Sequence, residues 1–189
     1  DGRCDQIDEL VDLPAVGESS ILAMGDSFGC AITTSDEVVC WGLNDQGQLG
    51  RPTTGHNAQI AGQVIGLPTS FRPISVDAGH NHACAVGADG EVWCWGRNIE
   101  GQVGTGTSTT SEGPTQALMP WGTRALSVSA GDTHTCATLS NGRLACWGTG
   151  SSGQIGTITG MPNGLDQGDF QYPLSLIHIS EPTRLDGIA

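Results

Sequence analysis

The chain has 189 residues and contains no lysine: its 7 basic residues are all arginine, set against 20 acidic ones, for a formal charge of −13. Nucleic-acid binding draws most of its affinity from Lys and Arg neutralising phosphates, so an acidic chain without a basic cluster is not expected to bind nucleic acid. Aromatic residues are scarce at 5%, with a single Tyr, and charged side chains make up only 14%. No stretch approaches the roughly 20 consecutive apolar residues of a membrane-spanning helix, so no membrane insertion is expected. Catalytic signatures are missing too, with no G-x-S-x-G elbow, no Walker loop and no H-E-x-x-H. Scattered Asp and Ser residues form no constellation, so neither enzyme activity nor a cofactor is expected. The chain opens at Asp1 with no initiator Met and no charged-then-apolar leader, which neither shows nor rules out a removed signal peptide.

Glycine is abundant, at 29 residues, which favours a turn-rich all-β chain because glycine weakens helix interiors. A block recurs three times. It runs from Gly25 through Cys30, Cys40, Trp41 and Gly42 to Gly47-Gln48-Leu49-Gly50. The second copy has Gly79, Cys84, Cys94, Trp95, Gly96 and Gly101-Gln102-Val103-Gly104; the third has Gly131, Cys136, Cys146, Trp147, Gly148 and Gly153-Gln154-Ile155-Gly156. Cysteines within a copy are always 10 positions apart, and successive copies are offset by 54 and 52. Length varies after the GQ(L/V/I)G segment, where variable loops are expected. The centre of each block reads as a hairpin, with Asp89-Gly90 and Asn141-Gly142 as turn signals and Ser35-Asp36 as a weaker one. Further strands are expected at Ile74 to Val76 and Leu126 to Val128, before the next opening glycine. Short strands within a period above 50 residues suggest a propeller blade.

The pattern G-x-x-H-x-C-A, a turn, then C-W-G-x-N-x-x-G-Q-V-G, read from Gly79 to Gly104, resembles the RCC1 (regulator of chromosome condensation) repeat. The resemblance covers Met24 to Gly156 and implies a β-propeller, seven-bladed in that family. The expected fold is therefore an all-β, incomplete RCC1-like β-propeller of about three blades. A partial segment at 1–20 would precede repeats at 24–73, 78–124 and 130–173, spanning 21–173 together. Two positions depart from the pattern: Phe28 stands where the other copies have His82 and His134, and Gly150 replaces the Asn seen at 44 and 98. The run Leu174 to Arg184, LSLIHISEPTR, is similar to the in-frame translation of a transposase-type sequencing adapter, which would make 174–189 a non-native tail. An ordinary strand at Leu174 to Ile179 is the rival reading, since an apolar β-former pairs with any open edge.

Three-residue turns at Ala88-Asp89-Gly90 and Ser140-Asn141-Gly142 place strand partners at a constant sum. Cys84 then faces Cys94, and Cys136 faces Cys146, on non-hydrogen-bonded pairs where Cα atoms approach to about 4.5 Å. Cross-strand disulfides Cys30–Cys40, Cys84–Cys94 and Cys136–Cys146 are expected, with Cys4 left over. Such bridges imply an oxidising setting: extracellular, periplasmic or at the cell surface. His80, His82, Cys84 and Cys94 are all metal-ligand types, but the first copy does not repeat the set, so no metal site is expected. The resemblance gives His82 and His134 a structural, hydrogen-bonded role, and Trp41, Trp95 and Trp147 recur with the repeat as core residues. Trp93 and Trp121 do not recur; with the variable segments 51–73 and 105–124 they form the candidate binding rim, and packing of both against neighbouring blades is the rival reading.

The leading functional reading is a secreted or surface propeller that binds a protein partner, with no obligate oligomer. The resemblance also implies sharper versions: a secreted enzyme inhibitor of the bacterial RCC1-like type, or a guanine-nucleotide exchange factor acting on a small GTPase. A carbohydrate-binding module is a third class.

Overall fold

The computed structural model describes residues 21–53, 55–120, 122–156 and 175–178. They form twelve strands in three antiparallel four-stranded sheets, with no helix among the described residues. The first sheet holds β1 (Leu22–Met24), β2 (Phe28–Ile32), β3 (Val38–Leu43) and β4 (Asn57–Gln63) in that spatial order. The second holds β5 (Pro73–Ala78), β6 (His82–Gly87), β7 (Val92–Gly96) and β8 (Ser111–Gln116). The third holds β9 (Ala125–Ala130), β10 (His134–Leu139), β11 (Arg143–Gly148) and β12 (Ser175–His178).

Each sheet grows outward from the hairpin that the turn residues dictate. Gly90 and Gly142 adopt left-handed φ values of 84° and 76°, and the third turn uses Asp36 at φ 59°. Asp reaches this region more easily than most residues, so the Ser35-Asp36 turn closes the same hairpin without a glycine. The inner strand of each sheet pairs with the hairpin that follows it, β5 with β6 and β9 with β10. A sheet therefore begins one strand ahead of the opening glycine, at the segments Ile74 to Val76 and Leu126 to Val128.

The sheets stack side by side around an axis. β5 packs on β1 and β2, and β9 packs on β5 and β6. The opening glycines mark the axis: a Cβ on Gly25 would lie 2.6 Å from the carbonyl oxygen of Gly79, and one on Gly79 would strike that of Gly131. Equivalent positions of consecutive sheets thus meet at their inner edges, the arrangement of adjacent propeller blades. β12 completes the third sheet by pairing with β11, from Arg143 opposite His178 to Cys146 opposite Ser175. It lies within the adapter-like run, and an open edge offers its unpaired N–H and C=O groups to any β-prone segment whatever its origin.

Candidate binding surface

Strand alternation sends neighbouring side chains to opposite sheet faces, so each recurring residue has a fixed side. In the seam between the first and second sheets, Phe28, Cys30, Cys40, Ile32 and Val38 pack with Ala83, Ala85 and Trp95. In the next seam Cys84, Cys94, Val86 and Val92 pack with Ala137, Leu139, Ala145 and Trp147. The GQ(L/V)G segment reaches into the same seams, with Leu49 in the first and Val103 in the second.

The tryptophans clasp one sheet to the one before it. Trp95 Nε1 donates to the Gln48 carbonyl at 2.9 Å, and Trp147 Nε1 donates to the Gln102 carbonyl at 2.8 Å. Gly104 must be glycine for this contact, because a Cβ there would sit 2.7 Å from Trp147 Nε1, and its φ is +78°. Trp41 lies over Gly29 on the outward face of the first sheet and is only partly buried. His82 is fully buried, with Nε2 2.8 Å from Thr135 Oγ1 and Nδ1 without a partner. Burial lowers its pKa to about 4, helped by nearby His134 and opposed by Glu100. His134 holds the equivalent place on the third sheet and is partly exposed.

The register sets Cys30 opposite Cys40, Cys84 opposite Cys94 and Cys136 opposite Cys146. Their Cα atoms are 4.1, 4.0 and 4.0 Å apart, and each Sγ pair is joined, at 2.10, 2.10 and 2.13 Å. Bonds from Gly87 N to Glu91 O and from Arg97 N to Asn81 O fix the alternation and leave the 84/94 pair non-hydrogen-bonded, the closest kind of cross-strand pair. The first two pairs are fully buried inside seams, whereas Cys136 is partly exposed on the outward face of the third sheet.

Two kinds of position escaped the sequence reading. The variable segments expected as loops each contain an outer strand, β4 in 51–73 and β8 in 105–124. Their sequences, NAQIAGQ and SEGPTQ, have no buried residue and carry no apolar alternation, so they gave no strand signal. The repeated Asn and Gln residues are the second kind. Asn44 and Asn98 accept from the backbone N–H of Leu49 and Val103 at 2.9 Å each, and Gln48 and Gln102 side chains accept from Gln46 and Glu100 N–H. These side chains hold the GQ(L/V)G loops in shape. In the third repeat, where Gly150 replaces Asn, the Ile155 side chain occupies the space a Cβ would take.

The ends of the sheets remain for recognition. At one end lie residues 44–53 and 55–56, the loop 97–110 and the inner turns, where His80 Nδ1 is 3.6 Å from Asp132 Oδ1. At the other lie the hairpin turns, the connection 64–72 and residues 117–120 and 122–124. Here an open cleft of about 610 Å³ is bordered by Asp89, Glu91, Leu118, Met119, Arg124 and Ser140. Trp93 is half-buried against the first seam, and its Nε1 donates at 3.2 Å to Oε2 of Glu91, which borders the cleft. Trp121 lies outside the described residues, as does Cys4.

Comparison with known proteins matches this architecture. Two family profiles, both described as the regulator of chromosome condensation (RCC1) repeat, match residues 35–86 and 89–138, and residues 21–48, 74–102 and 126–154. The second profile begins where each sheet begins. The ultraviolet-B receptor UVR8 of Arabidopsis thaliana is 33% identical over 135 residues, covering 71% of this chain and 30% of the receptor. Protein pim1 of Schizosaccharomyces pombe is 34% identical over 141 residues, covering 71% of this chain and 26% of pim1. The chain thus spans less than a third of these relatives. Among solved structures, yeast RCC1 (Prp20) bound to Kap60 superposes with a TM-score of 0.68 at 25% identity, covering 84% of this chain and 37% of that one. Human WBSCR16 gives 0.70 at 20% identity, with 85% and 39% covered. With its tryptophans, glycines and cysteines in the same places in three successive sheets, and the profiles spanning them, the chain belongs to the RCC1 repeat family.

Proposed function

We propose that this chain is part of a protein-binding propeller that works in an oxidising setting, outside the cell, in the periplasm or at the cell surface. The observation that carries this reading is a division of labour. Most of the recurring tryptophans and cysteines are turned into the seams between sheets, and the segments that differ between repeats lie at the sheet ends and outer edges. A rigid frame with variable ends suits recognition. Relatives support a protein partner: the yeast protein has been solved bound to Kap60, and a study of Prp20p from Saccharomyces cerevisiae concerns its binding to Gsp1p and histones. The cysteine pairs, joined across neighbouring strands, support the oxidising setting.

Chemical cross-linking of the chain to captured proteins from a secreted or periplasmic fraction tests the proposal. Cross-links should fall in 44–56, 64–72, 97–110 or 117–124, and a non-reduced digest should show the three bridged peptides. Free thiols at all six cysteines, together with accelerated nucleotide release from a small GTPase, would replace this reading with exchange-factor activity.

A further inference from the structure

The two seams share one plan and differ at a pair of facing positions. In the first seam Phe28 and Ala83 are both buried in one apolar cluster. In the second the equivalent positions, offset by 54 and 52, hold His82 and Thr135, both fully buried. Thr135 has one hydroxyl hydrogen and donates it to the Gln102 carbonyl at 2.9 Å, the same oxygen that receives Trp147 Nε1 at 2.8 Å. Thr135 Oγ1 can then only accept from His82, 2.8 Å away, which fixes the neutral imidazole with its hydrogen on Nε2. At the first seam the corresponding carbonyl, that of Gln48, receives Trp95 Nε1 at 2.9 Å and Ala83 presents only a methyl group.

Either mixed pairing is unfavourable. A histidine facing alanine buries an N–H with no acceptor. A phenylalanine facing threonine puts a hydroxyl against an aromatic face and loses the link from sheet to sheet. We propose that the third residue after the opening glycine and the residue before the next sheet's first cysteine form a matched pair that decides which sheets pack side by side. Imidazole takes a hydroxyl partner and a phenyl ring takes a methyl partner. The pair is a specificity device for sheet neighbours, distinct from the tryptophan clasp and the disulfides, which both seams share.

The test is a set of variants in the full chain, read by urea unfolding. His82→Phe and Thr135→Ala should each raise the unfolded-to-folded ratio by about tenfold or more, as loss of a buried hydrogen-bond partner does. The double variant, which installs the first seam's pair, should lie at least about tenfold below the product of the two single ratios. Thr135→Ser should stay within about threefold of the parent, whereas Thr135→Val, without the hydroxyl, should behave like Thr135→Ala. If a His82 variant does not fold, the reciprocal exchange is decisive: Phe28→His with Ala83→Thr should fold better than Phe28→His alone. Single ratios that simply multiply, or a Thr135→Val protein as stable as Thr135→Ser, would overturn the proposal.

Discussion

His82 shows how one side chain couples stability to pH. It is buried neutral, and protonation would place a second N–H on Nδ1, which has no acceptor. Its pKa of about 4 lies below the unfolded value of 6.5, so the unfolded chain binds more protons between those limits. The contribution is therefore fully present above pH 6.5, falls as pH drops towards 4, and is lost below that. The shift corresponds to roughly 3 kcal/mol. Charged groups nearby act in opposite senses, Glu100 favouring the imidazolium and His134 opposing it. Unfolding measured from pH 7.5 to 4 should give a steeper loss of stability for the parent than for the His82→Phe, Thr135→Ala double variant, which has no imidazole to protonate there. Equal slopes would mean that His82 titrates normally. The sequence showed that this position recurs and that Phe28 departs from it. It did not show that Thr135 faces it, because the two lie 53 residues apart and on different sheets.

At the scale of the element, the hairpin is the unit that the sequence specifies best. A three-residue turn fixes the register, and the register sets each cysteine opposite its partner. Replacing Cys84 and Cys94 together by serine should destabilise the chain by about 2–3 kcal/mol, the worth of a bridge closing so short a loop, with some further loss from polar hydroxyls in the seam. Replacing Cys136 and Cys146 should cost less, since Cys136 is partly exposed and its hydroxyl can be hydrated. Graded reductant with mass mapping should open this third bridge first, and simultaneous opening of all three would contradict the burial difference. The outer strands β4 and β8 were illegible for an opposite reason. A strand with no buried residue on either face needs no apolar pattern, and backbone pairing to β3 and β7 holds it.

For the whole molecule, the inner row of glycines is the critical feature. A methyl group on Gly79 would collide with the Gly131 carbonyl and the His82 ring, so Gly79→Ala pushes the second and third sheets apart. Overpacking of this kind costs about 1–3 kcal/mol. Hydrogen exchange should show lost protection on both sides of the second seam, with the first sheet's central hairpin unaffected. Protection lost only within the second sheet would place the strain inside one sheet rather than between two.

What is local was legible from the residues alone: the hairpins and the positions of the cysteine pairs. Each of these depends on turn residues and spacings within about a dozen positions. Packing alone settled which residues meet across a seam, and that Gln48 and Gln102 lend their carbonyls to the next sheet's tryptophan. Those contacts join residues about 50 positions apart, and they form only when whole sheets pack against one another around the axis.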